Sequence, residues 1–89
     1  MTVLVDHDYP QAGALKAVDA EDEPIEDVEI RIFTQVQYST NNRSTWTAET
    51  RTDLNGEWVD SVYLPDGQTW VVHFQKLSEF GPMTVEITT

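Results

Sequence analysis

The chain has 89 residues, enough for one small domain, and no cysteine, so neither a disulfide nor a thiolate metal site is available. Sixteen acidic residues against five basic ones give a net charge of −11 and a pI near 4.2. Such a surface repels phosphate backbones and anionic lipid headgroups, which argues against a direct nucleic-acid or membrane partner.

The N-terminal stretch Thr2-Val3-Leu4-Val5 is apolar and β-prone, but lacks the basic region and long apolar run of a signal peptide. Apolar runs along the chain reach only a few residues, too short for a membrane-spanning helix. A soluble protein, not exported by its own sequence, is therefore expected. Asp6, His7, Asp8 and Pro10 separate residues 2–5 from the next strand pattern. Residues 1–11 are accordingly read as an N-terminal arm or edge strand, and residues 12–89 as a single β-sandwich domain.

Residues 14–18 read as a strand whose inward face is ambiguous between Leu15/Ala17 and Ala14/Val18. Acids then cluster at Asp19, Glu21, Asp22, Glu23, Glu26, Asp27 and Glu29, the composition of a solvated turn. From Val28 to Tyr38 the side chains alternate with a period of two, which predicts a half-buried strand with Phe33 pointing outward. Tyr38 to Thr45 is polar and reads as a surface loop, where Asn42-Arg43-Ser44 matches a glycosylation acceptor pattern by chance.

The clearest local signal is the hairpin turn Asp53-Leu54-Asn55-Gly56, in which glycine supplies a positive φ. Its register would pair Thr52 with Trp58, Thr50 with Asp60, Ala48 with Val62 and Trp46 with Leu64. Trp46, Ala48, Trp58, Val62 and Leu64 would then face the core, and Val59 and Tyr63 would face out. Trp70, Val72 and Phe74 alternate with Val71, His73 and Gln75, so Trp70 faces inward and Val71 outward. A loop over 77–82 leads to a closing strand carrying Met83, Val85 and Ile87. The sum is an all-β, Ig-like (transthyretin-like) antiparallel β-sandwich of about seven strands.

Chemistry-bearing motifs are sparse. The acids over 19–29 lack the glycine and spacing of a calcium loop, and Pro24 interrupts them. Asp53, Asn55 and Glu57 resemble the start of such a loop, but the turn already accounts for them. His7 and His73 lie far apart and have no cysteine to complete a zinc site. Neither a nucleophile held by a base nor a glycine-rich phosphate loop is recognisable. The expectation is a non-enzymatic protein with no catalytic residues, no metal and no cofactor.

The spacing of turns and strands resembles the carboxypeptidase-regulatory-like, or transthyretin-like, β-sandwich family, and is similar to the N-terminal domain of phage tail fibres. The resemblance rests on Glu23-Pro24-Ile25-Glu26-Asp27-Val28-Glu29-Ile30 and on Thr52-Asp53-Leu54-Asn55-Gly56-Glu57-Trp58. It continues through Leu64-Pro65-Asp66-Gly67-Gln68-Thr69-Trp70-Val71-Val72 and the strand Val85-Glu86-Ile87. The chain departs from the family pattern at Glu23 and Asp27-Val28, and Phe80-Gly81 reverses a glycine–aromatic pair. The resemblance implies an accessory, adhesive or structural module with no catalytic residues to carry over.

A stand-alone module of this kind is what a virion subunit requires. The expected function is a surface-exposed component of a tailed virus, as a capsid decoration or tail-associated subunit on the virion surface. A cell-surface or carbohydrate-binding adhesion module is the alternative, and an accessory domain acting on an enzyme in trans is a third class. A cytoplasmic location belongs with these alternatives. Partners would be other protein subunits of an assembly, or further copies of the chain in a homo-oligomer. The candidate partner-binding residues are Val3, Leu4 and Val5 of the arm, with Phe33, Val59, Tyr63 and Val71 on the body.

Overall fold

The computed structural model describes residues 1–39, 45–76 and 80–89. Two antiparallel sheets pack face to face. The smaller pairs β1 (Thr2–Val5) with β4 (Val62–Pro65). The larger has the order β3-β2-β5-β6, formed by β3 (Ala48–Arg51), β2 (Glu29–Thr34), β5 (Thr69–Lys76) and β6 (Phe80–Thr88). The inward residues of both sheets meet in one core: Val5 and Leu64 from the smaller, Ile30, Ile32, Trp70, Val72, Phe74 and Ile87 from the larger. This is a β-sandwich, and its molecular extents are 33 × 29 × 18 Å.

Thr2–Val5 is thus an edge strand of the chain's own sandwich. Val5 is fully buried and Val3 packs on the same core. The 14–18 segment forms no strand beyond a single bridge between Val18 and Pro24, and Leu15 and Ala17 are the pair that turns inward. Ala17 donates its N–H to the Gly56 carbonyl at 2.9 Å, which ties this segment to the hairpin turn.

The turn over 53–56 forms as its chemistry dictates. Asp53 accepts the Gly56 N–H at 3.0 Å through its carbonyl, and its carboxylate takes the N–H of Asn55 at 2.8 Å and of Glu57 at 3.1 Å. Gly56 has φ +70°, and a Cβ there would collide with the Ala17 carbonyl oxygen, so only glycine fits. The hairpin ladder itself is short. Beyond Thr52 and Trp58 the arms stay linked only by the Val59 N–H to the Arg51 carbonyl at 2.8 Å and the Asp60 N–H to the Thr50 hydroxyl at 3.1 Å, and then part: β3 joins β2 in the larger sheet, and β4 joins β1 in the smaller. The expected pairs Ala48–Val62 and Trp46–Leu64 therefore do not form; Ala48, Trp58, Val62 and Leu64 still face the core and Val59 and Tyr63 face out, but Trp46 lies outside the core and Asp60 is exposed.

The strand expected to run from Val28 to Tyr38 stops at Thr34, and a single helical turn, α1 (Gln35–Ser39), replaces its end. The cause is a reciprocal cap: the Gln37 N–H donates to the Thr34 hydroxyl, and the Thr34 N–H donates to the Gln37 side-chain oxygen, each at 3.0 Å. Tyr38 is thereby turned back over the outer face of the larger sheet, its ring 5.6 Å from Phe33 and 6.3 Å from His73. That layer corrects two exposure assignments: Phe33 and Val71 are buried. Part of the expected 38–45 loop, including the Asn42-Arg43-Ser44 pattern, lies outside the described residues, as do residues 77–79.

Candidate docking face

The outer faces of the two sheets differ in what they offer. On the larger sheet, charges are matched within the chain. The Arg31 Nε lies 2.9 Å from Glu49 and 3.2 Å from Glu29, and its guanidinium covers the Trp46 ring at 3.9 Å. Trp46 is therefore half-buried beneath a cation and is not a core residue, whereas Trp58 and Trp70 are buried. Arg51 bonds Asp27 at 2.9 Å, and that hydrogen bond, followed by the charge of Asp27, holds the guanidinium above its ordinary pKa. The Lys76 ammonium donates to the Glu26 carbonyl at 2.8 Å. Asp27, Arg51 and Lys76 line a shallow cleft of about 360 Å³ with Glu29 and Gln75. Its cationic groups are already engaged.

The smaller sheet is different. Its register places Thr2 opposite Pro65, Val3 opposite Leu64, Leu4 opposite Tyr63 and Val5 opposite Val62. Val3, Val5, Val62 and Leu64 point to the core, so Leu4, Tyr63 and Pro65 point outward. Leu4 is 48% exposed and Tyr63 70%. The Asp66 N–H donates to the Met1 carbonyl, which extends the same register by one hydrogen-bonded pair. Antiparallel pairing alternates, so Val3–Leu64 and Val5–Val62 are also hydrogen-bonded pairs, and Leu4–Tyr63 is not. Side chains approach closely in such a pair, which makes Leu4 and Tyr63 one apolar patch. The same alternation aims the backbone N–H and C=O groups of Thr2 and Leu4 away from β4.

No protein-family model, curated protein or solved structure matches the chain. The site therefore stands on its own geometry. Of the residues expected to bind a partner, the fold brings Leu4 and Tyr63 together at the surface. Val5 is in the core, Val3 is half-buried on it, and Phe33 and Val71 lie beneath the α1 layer. Val59 is exposed but stands apart beside β3, donating its N–H to the Arg51 carbonyl at 2.8 Å.

Two further contributors were not foreseen from the sequence. The Thr89 hydroxyl donates to the Pro65 carbonyl at 2.7 Å, and Tyr9 bonds the Thr88 carbonyl at 2.6 Å. Both contacts link residues distant in the chain, and no local pattern announces them. Around the acidic turn, the Asp19 carboxylate accepts the N–H groups of Glu21 and Glu23 at 2.8 and 3.0 Å, so it serves the local backbone. Among the described residues no helix is long and apolar enough to cross a membrane.

Proposed function

We propose that the chain is a non-enzymatic interaction protein that joins a larger protein assembly through its β1–β4 sheet. The finer reading is a surface subunit of a tailed-virus particle, either a capsid decoration or a tail-associated component. The observation that carries the docking role is the exposed Leu4–Tyr63 pair on a two-stranded sheet whose outer face no other element covers among the described residues. A pair of large apolar side chains held side by side in water is what an interface core is made from. The viral setting is supported by the resemblance of the turn spacing to phage tail-fibre domains. The carbohydrate reading loses its main support, because two of the three Trp rings are buried and the third lies under Arg31.

The test is mass spectrometry of density-purified particles from a virus-producing culture in which the chain is supplied in trans. The wild-type chain should band with the particles. The double variant Leu4→Ser/Tyr63→Ser should fold, because both side chains point to solvent, yet be absent from them. A wild-type chain that does not band with particles overturns the viral reading. A double variant that incorporates as well as wild type overturns the docking role of this face.

A further inference from the structure

We infer that the free edge of β1 takes up an extended, basic segment of a partner protein as an added strand. This inference rests on the docking role proposed above and names the chemistry of the partner. It begins with which sheet edges remain open.

The smaller sheet has two edges. On β4, Pro65 offers no N–H and its carbonyl is taken by Thr89, so only Tyr63 can pair further. The larger sheet is edged by β3, which carries Glu49 and Arg51, and by β6, which contains Pro82, faces a bulge between Phe74 and Lys76, and gives its Thr88 carbonyl to Tyr9. These are the devices that blunt strand edges. β1 has none of them: Thr2-Val3-Leu4-Val5 contains no charge and no proline. Its outward groups, the N–H and C=O of Thr2 and Leu4, have no hydrogen-bond partner among the described residues. An incoming strand would satisfy them and would extend the Leu4–Tyr63 patch by its own outward side chains.

The charge around this edge selects the partner. Residues 1–8 and 57–69 build the sheet and its flanks, and they contain Asp6, Asp8, Glu57, Asp60 and Asp66 but neither Lys nor Arg. Asp66 lies at one end of β1, 3.7 Å from the Met1 amino group. Asp6 and Asp8 follow its other end, where the His7 Nε2 stands 3.6 Å from Glu57 and 3.5 Å from Asp8. Arg31, Arg51 and Lys76 all belong to the larger sheet, and Lys16 follows the turn that meets His7 through the Leu15 N–H. A second copy of this chain would bring another −11 to the same edge. A strand flanked by Lys or Arg would meet carboxylates at both ends instead. At about 3.4 Å per residue, a seven-residue segment spans β1 and reaches both acidic flanks.

The test uses the isotope-labelled full chain and the peptide Lys-Thr-Val-Thr-Val-Thr-Lys, with Glu-Thr-Val-Thr-Val-Thr-Glu as its acidic counterpart, followed by NMR. The Lys-flanked peptide should shift the amide resonances of Thr2 and Leu4 most, and bind about tenfold or more tightly than the Glu-flanked one at low salt. Added salt should weaken it. Thr2→Pro, at the first position of the strand, removes an outward N–H and leaves the Leu4–Tyr63 pair in place, so it should keep the thermal midpoint and lose peptide binding; Thr2→Ala, which keeps that N–H, should bind as the wild type does. No shift, equal binding of both peptides, or shifts centred on β3 or β6 would overturn the inference. So would a concentration-dependent dimer that protects the same amides, since the occupant is then a second copy. Failure of the underlying docking role is read separately. If Thr2→Pro incorporates into particles while Leu4→Ser/Tyr63→Ser does not, the face docks without strand addition.

Discussion

Thr52 shows how much one side chain carries in so small a core. It is buried between the sheet and the acidic turn, accepting the Val28 N–H at 2.9 Å and donating to the Ile25 carbonyl at 2.8 Å. Thr52→Val keeps the shape and orphans both backbone groups, so a loss of about 1–3 kcal/mol is expected in urea unfolding, the cost of a buried unsatisfied donor. Thr84→Val, on an exposed strand position, should change stability by less than about 0.5 kcal/mol. The tryptophans divide in the same way. Trp58 is buried and its indole N–H bonds the Leu15 carbonyl at 2.9 Å. Trp58→Ala should therefore cost about 3–5 kcal/mol. Trp46→Ala removes a half-buried ring from beneath Arg31 and should cost about 1–2 kcal/mol. Equal losses at the two sites would contradict the placement of Trp46 outside the core.

At the scale of elements, side-chain alternation was legible where partner strands were not. Period two put Ala48, Trp58, Val62 and Leu64 inside and Glu49, Arg51, Val59 and Tyr63 outside, as observed, and erred at Trp46, which lies under Arg31. The same pattern cannot say which strand lies alongside, because a hairpin that opens after one bridge has the same local sequence as one that continues. Strand β2 ended early for a reason visible in the residues: Thr34-Gln35-Val36-Gln37 is a capping-box sequence, and it outweighed four further positions of alternation. Phe33 and Val71 follow from that, since neither turns out to be bare once Tyr38 folds over them. Leu4 and Tyr63 were legible as outward residues, but their adjacency was not, because it depends on a pairing 59 positions apart in the chain. β1 itself is integral to the core. Deleting residues 1–8 removes Val3, Val5 and the His7 imidazole that accepts the Trp58 N–H. Each buried aliphatic contributes about 1.5–3 kcal/mol, against a total stability of about 5–15 kcal/mol for an ordinary domain. The truncated chain should show no cooperative thermal transition by circular dichroism. A cooperative transition near the full-length midpoint would mean that β1 is dispensable.

Over the whole molecule, a charge of −11 on 89 residues opposes compaction and is screened by salt. The thermal midpoint should rise between low and molar NaCl, and a flat or falling midpoint would contradict self-repulsion as a significant term. The charge is also unevenly spread: the described arginines lie on the larger sheet, and residues 1–8 and 57–69, which build the smaller sheet and its flanks, carry Asp6, Asp8, Glu57, Asp60 and Asp66 but neither Lys nor Arg, with the Met1 ammonium 3.7 Å from Asp66. This asymmetry gives the molecule one side on which Arg31, Arg51 and Lys76 are already engaged and one side with an open strand edge and an apolar pair. The central claim, that the β1–β4 sheet is the docking surface, is tested most directly by amide hydrogen exchange on the free chain and on the same chain within its assembly. In the free chain Val3 and Val5 should be protected while Thr2 and Leu4 exchange rapidly; in the assembly all four should be protected. Rapid exchange at Thr2 and Leu4 in both states, with new protection appearing on the larger sheet instead, would contradict it.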